Sequence, residues 1–148
     1  MEYRCVVWDP IHNHQMEKLE KVQQKFIRHM RYRNSCRNII MNRQQGYEYT
    51  GCNLLASRRK YLTLCFGANL INGLLDVPDL IELLDFVVPN TSLRVPRVLS
   101  IPRAKSGFST RAPLYRISST INEYAAMMEL YSVSNNAVKC AARKLVLV

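Results

Sequence analysis

Acidic residues are scarce in this chain, and no two of them are adjacent. Eleven Asp and Glu stand against 21 Lys and Arg, so paired carboxylates of the kind that hold magnesium for nucleotidyl transfer are missing. The five cysteines, Cys5, Cys36, Cys52, Cys65 and Cys140, form an odd set with no C-x-x-C pair. That spacing fits neither a disulfide framework nor a zinc site, and His12 and His14 read as surface histidines. Cys36, among Arg33, Arg37 and Arg43, reads as a free loop thiol rather than a nucleophile. There is no G-x-S-x-G, no H-E-x-x-H and no G-x-x-x-x-G-K-[ST]. No run of about 18 apolar residues occurs; the longest candidate, Leu62 to Leu75, is interrupted by Thr63, Gly67, Asn69, Asn72 and Gly73. The first ten residues carry Glu2, Arg4 and Asp9 and do not read as a secretory signal. These absences argue against an enzyme, a metal or cofactor protein, a secreted disulfide scaffold and a membrane span. A reducing intracellular compartment, nuclear or cytoplasmic, is the expectation.

What is present is one domain's worth of globular chain: 148 residues, 48% hydrophobic and 22% charged, expected to fold as a single helical domain. The net charge is +10, and it is clustered. From Lys21 to Lys60 ten basic residues accompany one acid, Glu48, and from Phe86 to Asn122 six basic residues accompany none. Between these blocks, Tyr61 to Asp85 carries only the acids Asp76, Asp79, Glu82 and Asp85. Two basic zones around an acidic middle suit a polyanion-binding surface; solvated charge kept for solubility is the alternative.

Periodicity predicts four to five helices in an irregular all-α bundle. Met16, Leu19, Val22, Phe26, Ile27 and Met30 recur at three- and four-residue steps, predicting a first helix over about Asn13 to Tyr32 that buries this face. Asp9 or Asn13 is the candidate cap. Asn34 to Asn53 reads as a basic loop with at most a short helix. Leu54 to Leu75, apolar nearly all round, predicts a central helix whose first turn holds Arg58, Arg59 and Lys60 against the helix dipole. Either a salt bridge to the acidic middle or an incoming phosphate is needed to favour three cations there. Pro78 starts a short third helix. Residues 86–113 form an expected extended, basic, Pro-rich loop, with a β-hairpin as the less favoured form. A fourth helix begins at Leu114, with Ile117, Ile121, Tyr124, Ala125, Met128 and Tyr131 on one face, and a last helix runs through Val138, Ala142 and Leu145.

The order of short motifs resembles the region after the polymerase core in reverse transcriptases of non-long-terminal-repeat (LINE-type) retrotransposons. Glu2, Tyr3, Trp8 and Pro10 match the E-Y-x-x-x-x-W-x-P turn of that family, with Tyr3, Val6, Val7 and Trp8 looking like a buried end. Glu17, Leu19, Val22, Gln23, Lys25 and Phe26 follow its next helix. Leu54-Leu55-Ala56-Ser57-Arg58-Arg59, then Asn72-Gly73, then Pro78-Asp79-Leu80 fit the following segment, and Ala112-Pro113-Leu114-Tyr115-Arg116 with Asn122 fits the last. The likeness covers most of residues 2–131. It implies the severed, thumb-like tail of a larger enzyme, without the aromatic-Ala-Asp-Asp that carries polymerisation.

That resemblance implies sequence-nonspecific contact with the backbone of an RNA or DNA duplex. Lys21, Lys25, Arg28 and Arg31 on the first helix and Arg58, Arg59 and Lys60 on the second would face phosphates. Arg31-Tyr32-Arg33 alternates cation and ring, which suits backbone contact beside a stacked base. Arg94, Arg97 and Arg116 complete the expected set. Two other readings stay open: a helical protein-interaction module with no nucleic-acid role, and a retroelement-derived remnant whose truncated core exposes an apolar patch and self-associates.

Overall fold

Apolar side chains on every side of one segment force it to the middle of whatever structure forms. The computed structural model describes residues 4–10, 12–35, 43–88, 97–104, 106–125, 127 and 135–146. In chain order its helices are α1 (Asn13–Ser35), α2 (Arg43–Thr50), α3 (Leu55–Ile71), α4 (Pro78–Glu82), α5 (Pro113–Tyr124) and α6 (Asn135–Val146), with a 3-10 turn at Ser109–Arg111. Among the described residues there is no β-sheet, and the class is all-α.

α3 is the axis. It packs against α5, α6, α1 and α4, and it buries Leu64, Cys65, Ala68 and Leu70. These join Leu84, Leu99, Ile117, Ile121, Val138 and Ala142 in one core. The close approach of α3 and α5 rests on Gly67. A Cβ placed there would sit 2.7 Å from Ile121 Cδ1 and 3.0 Å from Ile117 Cγ2, inside van der Waals contact. α3 stops at Ile71 rather than running to Leu75. The reason lies in Asn72-Gly73: Gly73 takes a φ of +64°, which side chains resist. With that turn, Leu74 N–H donates to Asn69 O at 2.9 Å and Gly73 N–H to Leu70 O at 3.2 Å, the paired bonds of a Schellman cap.

The segment expected to be extended is folded back on itself. Phe86 and Leu99 form an antiparallel bridge, flanked by Val87 N–H donating to Val98 O at 2.9 Å and Ser100 N–H to Asp85 O at 2.8 Å. Among the described residues this pairing is a single bridge between two stretches of loop and not a β-hairpin with strands of its own. Asn122 on α5 makes it possible. Its Oδ1 accepts from Val98 N–H and Leu99 N–H, both at 3.0 Å, and its Nδ2 donates to Leu99 O at 2.7 Å. One amide thus acts as a neighbouring strand, and Leu99 is fully buried as a result. Residues 89–96 lie outside the described residues.

α1 departs most from expectation. Of the six apolar residues on its predicted buried face only Ile27 is buried, while Val22 and Phe26 are 49% and 55% exposed. The face that packs is rotated toward Gln23 and Glu20. Gln23 Nε2 donates to Asn53 O at 2.8 Å, and Glu20 Oε1 accepts from Ala56 N–H at 3.0 Å. α2 closes on α1 through Gly46, where a Cβ would lie 3.0 Å from Ile27 Cγ2 and 3.1 Å from Arg31 Cδ. The aromatic end is also less buried than its sequence suggests, since Val7 is 67% and Trp8 40% exposed.

Gly67→Val adds volume where the two central helices touch, and overpacking of this kind costs about 2–3 kcal/mol. Chemical denaturation should show that loss, and an unchanged midpoint would contradict the packing described.

Candidate nucleic-acid interface

At 3.6 residues per turn, Lys18, Lys21, Lys25, Arg28 and Tyr32 fall within about 80° of one another and span about 21 Å of α1. All five are exposed, Tyr32 at 79%. They lie opposite Gln23 and Ile27, which are buried. Glu17 is the acid beside this stripe, near its N-terminal end. No ion pair engages Lys21, Lys25, Arg28 or Arg33 among the described residues. Arg33 is exposed on a different side of the helix, and Arg31 is half-buried. Arg31 lines a groove of about 140 Å³ with Gln24, Ile27, Arg28 and Tyr47. α1 therefore brings together Lys21, Lys25, Arg28 and Tyr32 of the expected contacts, with Arg31 and Arg33 flanking them.

The second expected cluster is not a cluster in space. Arg58, Arg59 and Lys60 sit on successive positions of α3 and point to three different environments. Arg58 is half-buried and lines a cavity of about 380 Å³ with Asn53, Tyr61 and Arg143. Arg59 is only 4% exposed, and its Nε lies 3.3 Å from Asp9 Oδ1. Lys60 Nζ donates to Glu123 Oε1 at 2.7 Å and lies 5.2 Å from the centre of the Tyr124 ring. Burial alone would lower the Lys60 pKa; the hydrogen bond and charge of Glu123 outweigh it and raise the pKa. Neither partner comes from the acidic middle of the chain. Asp9 and Glu123, distant in sequence, supply them.

Arg59 and Arg116 accordingly leave the set of phosphate contacts. Arg116 donates through Nη2 to Val6 O at 2.7 Å, through Nε to Arg111 O at 3.0 Å and through Nη1 to Cys5 O at 3.3 Å. Its Nη1 also lies 3.9 Å from Asp9 Oδ2. Burial lowers its pKa and the charge of Asp9 opposes that change. A guanidinium so engaged cannot turn outward to a duplex. Arg97 is exposed; Arg94 lies outside the described residues.

Two acids that carry this arrangement have no motif of their own. Asp9 does not cap α1; its carboxylate is nine-tenths buried and also meets Arg111 Nη1 at 3.2 Å. Glu20 caps α3, whose own N-cap residue, Leu54, has no side chain able to do so. A carboxylate at that helix start offsets the dipole that the three following cations oppose. The only signal available in the sequence was the scarcity of acids, which makes each one valuable to a basic protein. Among the described residues, no group of three or more His, Cys, Asp or Glu converges as a metal site would require. No helix among them is long and apolar enough to cross a membrane.

No family model, no curated protein and no solved structure matches this chain.

Asp9→Asn leaves two buried guanidiniums without their shared carboxylate. Breaking a buried pair in this way costs about 3 kcal/mol, or roughly 6–12 °C in Tm for a chain of this size. Thermal melts of the variant check it; an unchanged Tm would show that the network is not structural.

Proposed function

We propose that this chain is a non-catalytic helical module that grips the backbone of nucleic-acid duplexes through the outer face of α1, in the manner that its resemblance to the thumb-like region of LINE-type reverse transcriptases implies. The observation that carries the reading is the solvent-facing row Lys21, Lys25 and Arg28, in no ion pair among the described residues and continued by Tyr32. Charges spaced along one face of a helix can each meet a phosphate, and an exposed ring at the end can stack on a base. No residue on this face is arranged for base-edge readout, so sequence preference is expected to be weak. Binding that rests on phosphate neutralisation releases counterions and falls steeply with salt.

A second reading, a helical interaction module that self-associates, is favoured by Val22 and Phe26. They stand four residues apart on one exposed face of α1, and side chains at that spacing are neighbours. Sedimentation of the wild type and of a Val22→Ser, Phe26→Ser double variant separates the readings. A dimer that dissociates in the variant supports self-association; a monomer at all concentrations removes it.

For the nucleic-acid reading, polarisation on an RNA–DNA hybrid should give a log affinity against log salt slope of about −3 to −4 if ~4 phosphates are neutralised. The triple variant Lys21→Ala, Lys25→Ala, Arg28→Ala should flatten that slope by about 2–3, with helicity by circular dichroism unchanged. A salt-independent affinity, or a triple variant that binds as wild type, overturns the reading.

A further inference from the structure

The cavity between α3 and α5, about 320 Å³ in volume, has a charge imbalance that duplex binding on α1 does not use. Its walls carry Arg59, Lys60, Arg111 and Arg116 against Asp9 and Glu123. Two of these cations are buried, the Arg59 and Arg116 side chains being 5% and 12% exposed, while Lys60 and Glu123 stand at the rim, 39% and 52% exposed. Arg59 Nε faces Asp9, but its Nη1 is buried and meets no acceptor among the described residues. Arg116 turns its donors mainly to backbone carbonyls, which carry no full charge. Burial lowers the Arg116 pKa even with Asp9 at hand. A single carboxylate is therefore shared by two buried guanidiniums and a third, Arg111, that is 30% exposed at the rim. Desolvated cations of this kind favour an additional anion.

We propose that this cavity binds a phosphate monoester. Four cations against two carboxylates leave an excess of two, which a phosphate dianion matches and a monocarboxylate does not. A phosphodiester inside a duplex carries one charge and continues as chain on both sides, so it suits the open face of α1 and not this cleft. The volume is at the lower end of ordinary small-molecule sites and exceeds what inorganic phosphate alone would fill. Tyr115, Ser119 and Thr120 line the same space and offer a ring and hydroxyls to a small hydroxylated body. In this arrangement Arg111 and Lys60 receive the phosphate at the rim, Lys60 exchanging part of its contact with Glu123 for the ligand.

The test uses the full chain and three probes: inorganic phosphate, a nucleoside 5′-monophosphate and the uncharged nucleoside, each at ionic strength matched with chloride. The monophosphate should raise Tm saturably and bind by calorimetry more tightly than inorganic phosphate, with no effect from the nucleoside. Arg111→Ala should weaken binding on the order of tenfold, the loss of one charge-assisted contact. Glu123→Gln should tighten it several-fold by freeing Lys60, an effect that a purely structural cavity would not produce. The α1 triple variant should leave monophosphate binding unchanged, so failure of either proposal is visible without the other. A Tm rise that chloride reproduces, or Glu123→Gln without effect, overturns the site. Inorganic phosphate binding as tightly as the monoester overturns the assignment of a monoester.

Discussion

A guanidinium taken out of water must find an anion or several oxygens, and in this chain both are supplied by one short segment at the start of the sequence. Asp9 provides the carboxylate for Arg59 and Arg111, and Cys5 and Val6 provide carbonyls for Arg116. The segment is thereby fastened to α3 and α5 at once. Because Arg59 lies one turn into α3 and Arg116 in the first turn of α5, the same contacts fix how the two central helices begin relative to one another. Farther along, the bare surface of Gly67 lets them touch. Polar contacts at one end and a missing side chain in the middle define the α3–α5 seam together, and the cavity opens between these two fixed points.

That arrangement sets two groups of basic residues apart from one another. Cations facing the seam are held by Asp9, Glu123 and backbone oxygens, and they stabilise the fold. Cations on the outer face of α1 have no such partners among the described residues and face solvent. The division follows from how α1 is attached. Its packed face meets the rest of the chain through Glu20 and Gln23 more than through a broad apolar surface, so the helix lies on the structure and keeps most of its charge outward. An amphipathic pattern that would ordinarily bury Val22 and Phe26 leaves them on the surface instead.

Much of the helical order was legible from periodicity. α1, α3, α4, α5 and α6 start within a residue or two of where spacing places them, because each either has an apolar stripe or begins at a proline. The end of α3 is also written locally, in Asn72-Gly73, where the positive φ of Gly73 stops the helix short of Leu75. α2 is legible only as a short helix within a loop, since RQQGYEYT shows little apolar spacing. The candidate interface was half legible. The exposed row on α1 follows from spacing alone, whereas Arg58, Arg59 and Lys60 read as one cationic cluster and separate into three environments. Adjacent positions on a helix point about 100° apart, so a run of charges in sequence is seldom a patch in space.

By itself, the sequence determined the all-α class, the central place of α3 and the surplus of positive charge, because these depend on composition and local periodicity. Only the tertiary structure decided which cations are paired with which acids. Asp9 reaches Arg59 across fifty residues and Glu123 reaches Lys60 across more than sixty, and pairings over such distances depend on how helices cross. The rotation of α1 that exposes Val22 and Phe26 belongs to the same class of decision. It is set by where Glu20 finds the uncapped start of α3, a match between two segments that neither of them encodes alone.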